Sequence, residues 1–273
     1  VERSRGLGDV YKRQIYGTLP YYFMKGYKPG SPYLKYYEYI KEHGYSRHLY
    51  EFKDEYANMP VDVQKDEKKG LYYVQKEKKR LYFRKSTPAK KIQKYYRALS
   101  MEQDRRSPHH YFNSVKEVTG KVFVDVGCAE GYSSLEIIEE AKHVYLFEQD
   151  EQWLEAIRAT FEPWQDKVTI VQKYVSDHNS SREQTLDDFF NNQTNEHLFL
   201  KMDIEGAERH ALAGCNNLFQ NCQKLDFAIC TYHLRDDEEV ISAFLDKHNC
   251  TYINQKGFFR HKIRSVVMRG SKK

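Results

Sequence analysis

Val124-Asp125-Val126-Gly127-Cys128-Ala129-Glu130-Gly131-Tyr132 is the stretch on which the reading of this chain turns. The apolar run Val122–Val126 predicts a short buried strand. Small residues at 127, 129 and 131 let the backbone turn sharply and approach a ligand closely, and Ser133–Ala141 then reads as an amphipathic helix. A helix opening at such a turn presents free N–H groups and its positive dipole end to whatever lies above the strand. The spacing is not that of a dinucleotide fingerprint, which would need a third small residue at 132, where tyrosine stands.

Outward from this turn, strand and helix patterns alternate. Strands are expected at His143–Glu148, Val168–Gln172, Leu198–Met202 and Leu225–Thr231, with the last two at Thr251–Asn254 and Ile263–Met268. Helical patterns fall between them at Gln152–Thr160, Leu186–Phe190, Ala207–Phe219 and Asp237–His248. Such alternation predicts an α/β, Rossmann-like fold, a mainly parallel seven-stranded sheet with helices on both faces. Ligands in such sheets bind beyond the carboxyl ends of the strands, where strand order reverses. Glu148 ends the second strand, placed to accept hydrogen bonds from two ribose hydroxyls, and Ser176 and Asp177 follow the third.

The D-x-G-x-A-x-G of the first turn resembles the opening motif of class I S-adenosylmethionine (AdoMet) methyltransferases. Asp125, Gly127, Ala129, Glu130, Gly131, Glu148, Ser176 and Asp177 are on that reading the candidate cofactor-binding residues. At the fourth strand stands Leu200-Lys201-Met202-Asp203-Ile204-Glu205-Gly206-Ala207-Glu208. This K-x-D-x-E-G-x-E signature is similar to that of the FkbM-type methyltransferases. Phe147-Glu148, Ser176-Asp177 and Thr185-Leu186-Asp187-Asp188-Phe189 fall in the family's order, and the resemblance covers residues 120–255. Two departures stand out: Cys128-Ala129-Glu130 replaces a frequent Ala-Asn, and Ile229-Cys-Thr-Tyr-His233 replaces an acid-bearing end of strand five.

The resemblance implies AdoMet-dependent transfer of a methyl group to a hydroxyl, on a sugar, a polysaccharide or a secondary metabolite. That reaction needs an acceptor in line with the methyl–sulfur bond and a group to take the hydroxyl proton. Asp203, His233, Glu205 and Lys201 are the candidate catalytic residues, with Asp203 or His233 as the general base. Lys201 has an alternative as a partner of Glu205 or Asp125 that stiffens the loop, and Glu208 as a first-turn acid favoured by the helix dipole. A divalent metal on Asp203 is not assigned, because no Asp-Asn pair accompanies it.

The flanking region differs in character. Residues 1–121 carry a charge of +13 and residues 122–273 a charge of −8, within an overall +5, and 18 of the 23 tyrosines precede residue 122. We expect residues 15–118 to form an extension or lid, containing a short helix around Tyr33–Glu42 and a hairpin of Leu71–Gln75 with Leu81–Arg84. A helix over Pro88–Leu99 follows, with Thr87 as its cap. His109 or His110 could then reach the site. The methyltransferase domain spans 119–273. The stretch Asp9-Val-Tyr-Lys-Arg-Gln14 matches the translation of a common sequencing-library adapter, so residues 1–14 are expected to lie outside the fold.

The basic, aromatic stretch Lys65–Arg97 makes an RNA methyltransferase the rival reading, though no RNA-binding module is recognisable. A non-catalytic AdoMet-fold scaffold is the third. An anionic membrane surface would suit the same charge, but no run approaches the ~20 apolar residues of a spanning helix. Five cysteines without ligand spacing, in a chain showing no secretory signal, point to reduced thiols and the cytoplasm.

Overall fold

A computed structural model describes residues 29–44, 46, 49–191, 196–259 and 262–272. The expectation for residues 1–14 lies outside these. The chain divides into two units, one of residues up to Lys53 with Phe258–Ile263, the other of Asp54–Gly257 with Arg264–Lys273. In the first, helix α1 (Leu34–His43) fulfils the expected short helix, and Ile40, Leu49 and Phe258 pack together with Tyr33, Tyr36 and Tyr39 around them.

Helix α2 (Lys53–Ala57) comes next, followed by β1 (Val63–Asp66), β2 (Leu71–Lys76) and β3 (Lys79–Tyr82), which form a three-stranded antiparallel sheet. The expected hairpin is β2–β3. It turns without glycine because Glu77 itself takes a left-handed conformation, φ 55°. Helix α3 (Ala89–Glu102) starts one residue later than expected: Pro88, with extended backbone, is its N-cap, and Thr87 makes no capping bond.

The principal sheet contains β4 (Val122–Val126), β5 (His143–Phe147), β6 (Val168–Val171), β9 (His197–Met202), β10 (Lys224–Cys230), β11 (Thr251–Phe259) and β12 (Lys262–Lys272). Between them lie α4 (Tyr132–Ile137), α5 (Glu151–Phe161), the short pair β7 (Tyr174–Val175) and β8 (Glu183–Gln184), α6 (Leu186–Phe189), α7 (Glu208–Ala213), α8 (Asn216–Asn221) and α9 (Asp237–Lys247). Strand order is β11-β12-β10-β9-β4-β5-β6, parallel across β10, β9, β4, β5 and β6, with β12 antiparallel to β10. The chain leaves β4 for β5 and β6 on one side and returns to β9 and β10 on the other. The order therefore reverses between β4 and β9.

Alternation along β4 and β9 builds a core on each face. Val122, Val124 and Val126 pack with Leu198, Leu200 and Met202 on one side; Phe123 stacks on Phe199 on the other. Asp125 and Lys201 share the Phe123 face and are register partners.

Further elements differ from expectation. The helix expected over Ser133–Ala141 closes at Ile137, after which the Glu140 carbonyl accepts the Gly120 N–H. The helix expected over Ala207–Phe219 is two helices. The chain breaks at Gly214, where an added Cβ would lie 2.1 Å from the Ser176 carbonyl oxygen, and Asp187 caps the restart by accepting from Leu218 N–H at 2.7 Å. Strands β11 and β12 outrun their apolar cores, since β11 is an edge strand and tolerates polar residues such as Asn254 and Gln255. Among the described residues no helix is long and apolar enough to cross a membrane.

Candidate functional site

At the switch point, the chain after β4 and the chain after β9 lie against each other. Gly127 has φ 77°, and a Cβ there would stand 2.1 Å from the Asp203 carbonyl oxygen, so only glycine fits. Gly131, φ 80°, faces the Phe161 ring, 2.7 Å from an added Cβ. Two of the small residues read as room for a ligand are thus also required by neighbouring protein. Ala129, between them, is left-handed as well, φ 47°.

Beneath the turn lies a buried ion pair. Lys201 Nζ is 2.8 Å from Asp125 Oδ1 and donates to the Gly127 carbonyl at 2.7 Å; Ser134 Oγ donates to Asp125 Oδ2 at 2.6 Å. Asp125 is 1% and Lys201 4% exposed. Burial works against the lysine's charge, but Asp125 and then Asp203 outweigh it and hold its pKa above that of an ordinary lysine. Of the two partners considered for Lys201, the structure selects Asp125, tying the turn to β9.

Glu148 reaches back over the turn. Its Oε2 accepts from Ala129 N–H at 3.0 Å and its Oε1 from Asp150 N–H at 2.8 Å. Each oxygen keeps a lone pair for a further donor. Glu130 is 3% exposed; Tyr95 Oη, from α3, donates to its Oε2 at 2.8 Å, and burial raises its pKa. The Tyr95 ring stacks on Trp153, over which Arg84 also lies. Tyr95 was not foreseen, because nothing in its local sequence distinguishes it from the other tyrosines of the arm.

The β9 loop supplies a second cluster. Glu208 is fully buried and accepts from the N–H groups of Ile204 at 2.8 Å and Gly206 at 3.1 Å, so it folds the loop rather than simply offsetting a helix dipole. Its Oε1 also accepts from His233 Nδ1 at 2.9 Å. That fixes the imidazole with Nε2 turned toward Asp203 Oδ1 at 3.5 Å and Glu205 Oε2 at 3.6 Å. Burial lowers the His233 pKa, but Glu208, Asp203 and Glu205 together reverse this and raise it above 6.5. Glu205 is not buried with the others: its side chain is 92% exposed, on a left-handed residue, φ 55°.

Tyr111 Oη donates to Asp203 Oδ2 at 2.7 Å, and burial holds its hydroxyl protonated. The segment expected to send His109 or His110 to the site thus sends the next residue. His109 stands edge-on to Tyr232, whose ring is 4.2 Å from that of His233. His110 instead bonds Ser107, Asn113 and Arg269. Ser176 and Asp177 lie on the loop that presses on Gly214, and the Asp177 carboxylate pairs with His178 at 2.8 Å and His210 at 3.5 Å.

Residues 89–253 match the model of the methyltransferase FkbM domain, well over half of the chain. The chain belongs to the FkbM methyltransferase family. The match takes in α3, the Tyr111 segment and the five parallel strands β4, β5, β6, β9 and β10. Among solved structures it is similar to an FkbM methyltransferase from Methylobacillus flagellatus KT, at 19% identity and TM-score 0.46, over 55% of this chain and 43% of that one. The chain thus spans less than half the length of that relative. It is similar also to the magnesium protoporphyrin IX methyltransferase of Synechocystis PCC 6803 with bound SAM, at 12% identity and TM-score 0.43, over 69% and 86% of the two chains. A third is an rRNA methylase from Streptococcus thermophilus, at 12% identity and TM-score 0.39, over 57% and 89%. No curated protein matches.

Proposed function

We propose that this FkbM methyltransferase transfers the methyl group of AdoMet to a hydroxyl oxygen, on a sugar, polysaccharide or secondary metabolite. The observation that carries the reading is the convergence, at one switch point, of a turn with an acid poised over it and a histidine–carboxylate cluster beside it. Asp203 N–H donates to the Val126 carbonyl at 3.1 Å, so the two loops are stitched together.

The turn suits the donor. Glu148 has acceptor capacity left for the ribose hydroxyls, and Gly127 keeps the backbone low where a side chain would stand. Gly131 and Ala129 complete the cradle, with Asp125 holding it from below through Lys201. Glu130, Ser176 and Asp177 are further candidates toward the cofactor, Glu130 once Tyr95 moves aside. Bound there, AdoMet supplies an electrophilic methyl carbon on a sulfonium sulfur.

The acceptor's proton goes to the Asp203–His233 pair. Because Nδ1 donates to Glu208, Nε2 is the nitrogen with the lone pair, and it faces Asp203. Tyr111 holds the second oxygen of Asp203, fixing the carboxylate's rotation. The exposed Glu205 and the Tyr232 ring border the same cluster, the ring offering a face of the kind that stacks on sugars. Lys201 acts through Asp125 and Gly127 as a positioning residue.

The rival use of the basic arm on RNA is disfavoured by where its side chains go. Lys65, Lys69, Lys76, Arg80 and Arg84 are ion-paired within the protein, and Tyr73, Tyr82 and Phe83 are buried rather than offered for stacking. Incubation with labelled AdoMet and a panel of sugars, polyols and RNA tests the assignment. Label on a hydroxyl supports it; label on RNA or on nitrogen alone removes it.

A further inference from the structure

The cluster beside the β9 loop contains a buried polar atom that makes no hydrogen bond. This atom, His233 Nε2, lies on a side chain only 8% exposed. It points between two carboxylate oxygens, Asp203 Oδ1 at 3.5 Å and Glu205 Oε2 at 3.6 Å. Oxygens of Asp203 and Glu208 and a nitrogen of His233 all lie within 4.8 Å of one another.

We propose that His233 Nε2, Asp203 and Glu205 bind a first-row transition-metal dication. The inference rests on the reading of this cluster as the acceptor side of the reaction. Two protein ligands each about 2.1 Å from one ion, at a near-tetrahedral angle, stand about 3.4 Å apart, so the two separations to His233 Nε2 need only a few tenths of an ångström of closure. The exposed Glu205 side chain, outside the close Asp203–Glu208–His233 group, must rotate toward Asp203 to complete the set. One imidazole and two carboxylates form a mixed donor set suited to first-row dications.

Glu208 belongs to the next layer. Its oxygens already accept from Ile204, Gly206 and His233 Nδ1. A carboxylate on the far nitrogen of a ligating histidine fixes its tautomer and ring orientation. Tyr111 does the same for Asp203, taking Oδ2 and leaving Oδ1 for the ion. Glu205 is the exposed third ligand, which leaves further coordination positions for water or an acceptor. A hydroxyl bound there would lose its proton more readily, because a dication lowers the pKa of oxygen ligands. While the ion holds Asp203 and His233, that proton passes to bulk water on the exposed Glu205 side. The cation and the proton taken up by the Asp203–His233 pair are thus alternative occupants of one space.

Co2+ alone is the probe, added to the full chain and followed by its visible absorption and by calorimetry. The proposal expects one ion per chain, with Glu205→Ala weakening binding about tenfold and His233→Ala abolishing the visible bands. Glu208→Gln is expected to weaken binding about 10–100-fold. Because Glu205 is exposed, Glu205→Ala tests the site without endangering the fold. Absence of saturable binding, or binding unchanged in Glu205→Ala or His233→Ala, overturns the proposal. AdoMet is titrated into the same samples: AdoMet binding without Co2+ binding removes the metal and leaves the methyltransferase reading, whereas loss of AdoMet binding counts against the latter alone.

Discussion

Glycine at 127 and a carboxyl at 130 decide opposite things about the turn. Adding one methyl at 127 would drive a Cβ into the Asp203 carbonyl at a left-handed φ. Gly127→Ala should therefore cost about 2–4 kcal/mol, combining overpacking with backbone strain, as read by urea unfolding. A cost within the error of the measurement would mean that the loops part easily. Glu130 carries a different expectation. Burial raises its folded-state pKa, so from the unfolded value upward through the folded one the native chain holds a proton that the unfolded chain releases. Stability on this account falls as pH rises through that window. Glu130→Gln should remove the slope and raise Tm at neutral pH, while keeping an acceptor for Tyr95; melting curves from pH 5 to 8 would show it. A lower Tm at neutral pH in the variant would assign the ionised carboxyl a stabilising role instead.

Strands were the most legible elements, because parallel strands buried on both faces read as continuous apolar runs. Val122–Val126 was fixed to the residue, and Leu198–Met202 lacked only its first residue, His197. Strand β1 gave no such signal, since Val63 is the one apolar residue among Val63-Gln-Lys-Asp66. The helix break at Gly214 was hidden for another reason: it is imposed by Ser176, a residue of a different loop. The same limit governed the site. Its within-motif residues were readable, whereas Tyr111 meets Asp203 across 92 positions and Tyr95 meets Glu130 across 35. The Asp125–Lys201 pair binds β4 to β9, and its loss belongs to this scale. Lys201→Met leaves a buried carboxylate alone and should cost about 3–5 kcal/mol, and Asp125→Asn with Lys201→Met should recover part of it. If the double variant is less stable than either single one, the pair is not the unit described.

Across the whole molecule, part of the arm's excess positive charge is met by the other half of the sequence: Lys69, Lys76 and Arg84 pair with Glu162, Glu136 and Asp150. RNA affinity, measured by fluorescence anisotropy, is expected to be weak at 150 mM salt. Sub-micromolar binding that falls steeply between 50 and 200 mM salt would restore the nucleic-acid reading. The central claim is that the switch point between β4 and β9 holds the methyl donor under Glu148. Calorimetry of AdoMet binding tests it most directly, on the unaltered chain and on Glu148→Ala. The account predicts one site per chain, weakened about 10–100-fold in the variant, the loss expected when hydrogen bonds to a charged acceptor are removed. Saturable binding of equal strength in both proteins, or none to the folded unaltered chain, would contradict it.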